Sequence, residues 1–164
     1  MATLSTAPLC HVAPDNDVLT AEIFIAAPRE LVFEALTDPK QAARWWGAAD
    51  RCHMAEFQMD VRVGGEWSTN GVSPKMGAIN VHGEFVEIDP PRRLSYTWIS
   101  SWMPQNTTVV WELEPQNNGT LVKLTHRGFS GNAEQAENHS IGWSVVLGWL
   151  QAYAERGETI ENRK

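Results

Sequence analysis

Asn132-Ala133-Glu134-Gln135-Ala136-Glu137-Asn138-His139-Ser140-Ile141-Gly142-Trp143-Ser144-Val145-Val146-Leu147-Gly148-Trp149-Leu150-Gln151-Ala152-Tyr153-Ala154-Glu155-Arg156, followed by Gly157, reads as one long helix. Asn132 is placed to cap its start, Gln135 three residues on completes a capping-box pattern, and Gly157 is a helix stop. At about 100° per residue, His139, Trp143, Val146, Leu147, Leu150, Tyr153 and Ala154 share one apolar, aromatic face. The opposite side carries Ile141, Val145, Gly148 and Ala152, which is less polar than a free surface helix shows, so protein is expected on more than one side of it. Such a helix needs a large apolar partner, and only the β-patterned middle of the chain can supply one.

Working outward from that helix, the 164 residues suit one domain with a substantial core. It is expected over 18–157, with flexible tails at 1–17 and 158–164. Eight Trp stand beside only two Tyr. Indoles are bulky and carry an N–H that wants a partner, so this excess points to a very aromatic core or to a hollow with aromatic walls. A net charge of −7, with no basic run, disfavours nucleic acid and anionic membrane as partners. The first residues carry no positive start and no continuous apolar run, so no signal peptide is read and a cytoplasmic location is expected. Cys10-His11 and Cys52-His53 invite a metal reading, but adjacent side chains on a strand point to opposite faces and four convergent ligands are hard to build. Two ordinary thiols, no metal and no cofactor are expected.

Val18 to Ala26 reads as a strand. Pro28 then opens a helix at the position where proline is tolerated, with Leu31, Val32, Ala35 and Leu36 on its apolar side. Asp38-Pro39 ends it and starts a second helix that runs to Trp46 and closes on Gly47. Trp45 and Trp46 diverge by about 100°, so at most one faces a given pocket. From Cys52 the period becomes two: His53, Ala55, Phe57, Met59, Val61 and Val63 alternate with polar residues up to a Gly64-Gly65 turn. Glu66 to Asn70, Ala78 to Ile88, Arg93 to Ser100, Thr107 to Glu114 and Thr120 to Gly128 complete six consecutive strands. Gly83 marks a bulge or bend, Trp102-Met103-Pro104 a hydrophobic loop, and Asn117-Asn118-Gly119 the clearest hairpin turn. The pattern β-α-α-β6-α implies an α+β domain with a curved antiparallel sheet around the last helix.

The run Ala27-Pro28-Arg29-Glu30-Leu31-Val32-Phe33-Glu34-Ala35-Leu36-Thr37-Asp38-Pro39, then Ala43-Arg44-Trp45-Trp46-Gly47, resembles the opening of the bacterial relatives of the Hsp90 ATPase activator. Asp60-Val61-Arg62-Val63-Gly64-Gly65-Glu66-Trp67, His82-Gly83-Glu84-Phe85, Asp89-Pro90-Pro91-Arg92-Arg93-Leu94, Tyr96-Thr97-Trp98, Gly119-Thr120, Thr125-His126, and His139 with Gly142-Trp143 continue the resemblance in order. These relatives belong to the START-like, SRPBCC or Bet v 1-like helix-grip superfamily. The resemblance implies a helix-grip fold with a cavity between sheet and helix.

Three functions follow as expectations. The first is binding of a small hydrophobic or aromatic ligand, with Trp45, Phe57, Met59, Trp67, Phe85, Tyr96, Trp98, Trp111, Trp143, Leu147 and Leu150 lining the cavity, although each of these could equally fill a solid core. The second is a polyketide cyclase- or aromatase-like enzyme using acid/base chemistry, with His139 as its catalytic residue and Glu84, Glu112 or His126 as a second group. The third is a co-chaperone-like interaction module with a chaperone partner, in which Trp102-Met103-Pro104 would be its sticky loop; the same residues could equally shield the cavity mouth. Helix-grip relatives often pair, which allows a homodimer.

Overall fold

Alternation becomes sheet across the middle of the chain, and the two helical periods become the packing that closes it. The computed structural model describes residues 8–48 and 51–163. The strands are β1 (Leu9–Val12), β2 (Val18–Ile25), β3 (His53–Met59), β4 (Glu66–Ser73), β5 (Gly77–Asp89), β6 (Arg93–Ser100), β7 (Met103–Gln116) and β8 (Gly119–Arg127). The helices are α1 (Arg29–Thr37), α2 (Pro39–Trp45) and α3 (Ala133–Arg156). All eight strands form one antiparallel sheet in the order β1-β2-β8-β7-β6-β5-β4-β3. This is an α+β helix-grip fold, as the sequence predicts. Sequential strands are neighbours throughout β3 to β8, and only the β2–β8 pairing closes a long connection.

The caps of α3 match the reading of its sequence. The Asn132 side chain accepts a hydrogen bond from Gln135 N, and Gly157 sits at φ 68°, the left-handed region that a glycine enters without a Cβ clash. The C-terminal half of α3 is bolted to the sheet and to α2. Gln151 Nε2 donates to Phe24 O (2.8 Å), Glu155 accepts from Ala26 N (2.8 Å), and Tyr153 OH donates to Gln41 Oε1 (2.9 Å). Leu147 and Leu150 are fully buried here, each burial contributing about 2 kcal/mol. Among the described residues no comparable hydrogen bonds tie the N-terminal half of α3 to β3–β5; it meets the sheet at β6 and β8, where His139 and Trp143 contact Trp98 and Trp143 donates to His126.

Several expectations are corrected. Residues 9–12 are not tail: they form β1, pairing with β2 from Leu9↔Glu22 to Val12↔Leu19, and β1 packs on α3. Of the apolar residues on the helix's far side, Ala152 is buried, Val145 lines the hollow described below and Ile141 is exposed. Residues 1–7 of the expected tail lie outside the described residues. The C-terminal segment is also docked, since Ile160 N donates to Arg44 O (2.9 Å), and Arg163 donates to Trp45 O (3.3 Å) and to Gly47 O. Val61 and Val63 lie beyond β3 in an exposed turn rather than in a strand. Met103 and Pro104 open β7, and the turn before them is the tight pair Ser101-Trp102, bracketed by Ser100↔Met103.

Two turn chemistries were legible in advance. Asn117 and Asn118 take positive φ (45° and 65°) between the paired Gln116 and Gly119, the backbone of a two-residue hairpin. Gly83 is needed for close approach: a Cβ there would lie 1.9 Å from Thr97 O. The register shift itself falls just beyond, between Phe85 and Glu87.

Candidate functional site

A hollow of about 550 Å³ lies where α3 and the β3–β6 half of the sheet part company. Its floor and walls combine Met54 from β3, Trp67 and Thr69 from β4, Ile79 and Val81 from β5, Trp98 from β6, and His139, Trp143, Val146 and Trp149 from α3. Trp46 closes one end and Trp102 another. The exposed members, Arg51, Pro74, Lys75, Asn138 and Gly142, form the mouth. Six indoles therefore wall one space. Trp46 meets Trp98 (6.4 Å between ring centres) and Trp143 (5.8 Å), and Trp98 meets Trp67 (5.9 Å) and Trp143 (5.2 Å).

Trp45 and Trp46 divide as adjacent helical residues must. Trp45 stays in α2, fully buried, and donates from Nε1 to Ala35 O (3.0 Å). Trp46 is the C-cap, with φ −85° and ψ 90°, and this departure from helical dihedrals swings its ring into the hollow. The α3 residues that face the hollow are also displaced. Gly142, Val145 and Trp149 line it, an arc centred roughly 100° around the helix from the face identified in the sequence.

Beneath the floor runs a polar chain whose protonation follows from its partners. Trp143 Nε1–H donates to His126 Nδ1 (3.0 Å), so that nitrogen is unprotonated. His126 Nε2–H therefore donates to Thr107 Oγ1 (2.7 Å), and the Thr107 hydroxyl donates onward to Trp98 O (2.8 Å). Burial pushes the His126 pKa well below the usual histidine value, and the neighbouring His139 ring, 5.3 Å away, adds to the effect. His139 donates from Nδ1 to Gln135 O (2.8 Å), leaving Nε2 as its basic atom. Burial lowers its pKa too, opposed by the Gln135 bond. His139 Nε2 and the Trp98 Nε1–H are both shielded and have no partner among the described residues. The Trp102 ring lies stacked on His139 at 6.0 Å.

Of the ligand-contacting residues expected from the sequence, the structure gathers Trp67, Trp98 and Trp143 around the hollow, with His139 among them. Trp45, Phe57, Met59, Phe85 and Tyr96 instead surround a gap of about 20 Å³ at the closed end of the grip, which has room for about one water. Trp111, Leu147 and Leu150 belong to the solid core. There Trp111 Nε1 donates to Tyr96 OH (2.9 Å), and burial pushes the Tyr96 phenol far above its ordinary pKa. Among the second groups considered for catalysis, His126 is inside, Glu84 is exposed, and Glu112 pairs with Arg93 (3.4 Å).

Trp102 stands at the hollow, as the shielding alternative expects, whereas Trp46, Met54, Ile79, Val81 and Trp149 are absent from the sequence-predicted lining. Strict alternation puts Met54 out of phase with Phe57 and Met59, and a register shift between His53 and Glu56 brings it to the inner side. Among the described residues no three His, Cys, Asp or Glu side chains converge as metal ligands would, and no helix is long and apolar enough to cross a membrane.

The family model described as Activator of Hsp90 ATPase homolog 1-like protein matches residues 26–155. No curated protein matches the chain. Solved structures similar to it include protein CV1439 from Chromobacterium violaceum, 24% identical with a TM-score of 0.72, covering 85% of this chain and 98% of that one. CalU16 from Micromonospora echinospora is 23% identical with a TM-score of 0.64 and coverages of 92% and 85%. DynU16, from the dynemicin biosynthetic locus, is 20% identical with a TM-score of 0.73 and coverages of 87% and 48%. At these identities what is shared is the fold.

Proposed function

The chain belongs to the Activator of Hsp90 ATPase homolog 1-like family, and from that premise we propose that it binds a small hydrophobic or aromatic molecule in the hollow between the sheet and α3. The observation that carries this reading is the hollow itself: about 550 Å³ walled by six indoles, within the size range and apolar character of small-molecule sites. The rings on its walls offer stacked and edge-on contacts to an aromatic guest.

A second reading is an acid/base enzyme built on His139. DynU16 comes from a biosynthetic locus, and the His139 ring lines the hollow with a neutral, basic Nε2. A general base must come within hydrogen-bond reach of the proton it takes. The shielding of Nε2 behind the stacked Trp102 ring supports binding over turnover. The interaction-module reading keeps little of its sticky loop, because Met103 is buried and Trp102 is stacked inward.

Native mass spectrometry of the purified protein tests the proposal. The expected result is a co-purified or added apolar aromatic molecule bound at one per chain, weakened at least ten-fold by Trp46→Ala. An empty protein whose tryptophan emission is unmoved by a panel of aromatic ligands would overturn it. Turnover of the identified ligand, abolished by His139→Gln, would replace carrier by enzyme.

A further inference from the structure

We propose that the molecule held in the hollow is an anion, an apolar ring-bearing body whose carboxylate, sulfonate or phosphate lies at the mouth between Arg51 and Lys75. The proposal rests on the ligand-binding reading above and adds the ligand's charge and orientation. The chain carries 20 acidic side chains against 13 Lys and Arg, yet among the described residues no Asp or Glu lines the hollow and its charged members are Arg51 and Lys75 alone. Six cations elsewhere, Arg62, Arg92, Arg93, Lys123, Arg156 and Arg163, pair with carboxylates. Arg51 and Lys75, like Arg29, Lys40, Arg44 and Arg127, form no ion pair with any described residue, and of these six only Arg51 and Lys75 line the hollow.

The fold places both cations on one rim. The pairing His53↔Val72 aligns the start of β3 with the end of β4, and Arg51 and the Pro74-Lys75 turn, just outside those strands, both line the hollow. The turn is held in shape by Ser73, whose buried Oγ accepts from Lys75 N (3.2 Å) and Met76 N (3.2 Å). The floor beneath, with its walls, is mostly aromatic and aliphatic; its polar members, Thr69 and the neutral His139, carry no positive charge. A charge driven into it would lose its hydration without return, so the anionic group stays at the mouth and the rings go inward. Guest orientation is thus set by the mouth.

Two dyes that differ by one sulfonate test this. 8-Anilino-1-naphthalenesulfonate and N-phenyl-1-naphthylamine share the same rings, and both report an apolar site by fluorescence. The expected result is binding of both at one per chain, with the sulfonate tighter by about ten-fold at low salt, as two partly screened charge contacts allow. High salt should erode the preference, and the double substitution Arg51→Gln/Lys75→Gln should remove the difference between the two affinities, a comparison that any change common to both dyes leaves untouched. Both side chains are exposed, so the variant should fold, which far-UV circular dichroism checks. Equal or tighter binding of the neutral dye to the unmodified protein would overturn the inference and leave ligand binding standing. So would a sulfonate preference that survives the double substitution. Binding of neither dye, or binding insensitive to Trp46→Ala, would overturn the ligand-binding reading and this inference with it.

Discussion

His126 shows how one side chain can tie three elements together. It accepts from the Trp143 indole on α3, donates to Thr107 on β7, and sits on β8 with no exposed surface. His126→Phe keeps a ring in place but strands the Trp143 N–H and loses the Thr107 bond. We expect it to lower the unfolding free energy by about 2–4 kcal/mol in urea titrations. The same burial predicts a pH response. Both His126 and His139 hold folded pKa values below the unfolded value near 6.5, so above that pH both states are neutral and stability is at its plateau. As pH falls through about 6.5 the unfolded chain takes up protons that the folded chain refuses, and stability drops, with a limiting slope of about 1.4 kcal/mol per pH unit for each histidine between its unfolded and folded pKa. Urea midpoints measured between pH 7.5 and 5.5 should trace this, and His126→Phe should remove the larger part of the slope, since its pKa is the more strongly lowered. A midpoint independent of pH over that range would contradict the buried neutral pair.

At the level of elements, the sheet's curvature depends on places where side chains are missing or strands slip. Gly83→Ala would drive a Cβ to within 1.9 Å of the Thr97 carbonyl, the same carbonyl that accepts from Trp67 Nε1 (3.0 Å). The expected cost is about 3 kcal/mol or more, read as a fall in Tm together with loss of the Trp67 environment in near-UV spectra. An unchanged Tm would mean that β5 and β6 can separate without consequence. The elements themselves were legible because their signals are local: the Asn132 cap, the Gly157 stop, the proline corner at Asp38-Pro39, and the Asn117-Asn118 turn. The site was only half legible. Trp67, Trp98 and Trp143 sit where simple periodicity places them, but Trp46 enters the hollow by leaving its helix and Met54 by a slip in β3. Trp149 lines the hollow from outside the helix face that periodicity selects. Each of these depends on contacts between distant segments, which no window of sequence contains. β1 was missed for the same reason: Leu9–Val12 is too short to alternate visibly and becomes a strand only against β2.

Across the whole molecule, α3 is fastened to β2 and α2 at its C-terminal end and leaves the hollow between itself and β3–β6 along the rest, and the last residues brace the junction. The Arg163 guanidinium lies 5.3 Å from the centre of the Trp149 ring, which is part of the hollow's wall, and pairs with Glu158 (3.3 Å). Removal of residues 158–164 should therefore cost about 3 kcal/mol and lower Tm by about 10 °C, while a bound aromatic guest should recover part of the loss in a thermal melt. A truncated protein as stable as the full chain would show that the brace is idle. The indole array has a consequence of another kind. Trp45 and Trp46 lie nearly parallel at 5.2 Å, and Trp46 continues the contact to Trp98 and Trp143. Chromophores that close share their excited states, so light absorbed by any one of these rings migrates among them before it is emitted. A guest that quenches a single indole would darken the whole array, and the protein would report its own occupancy without a label.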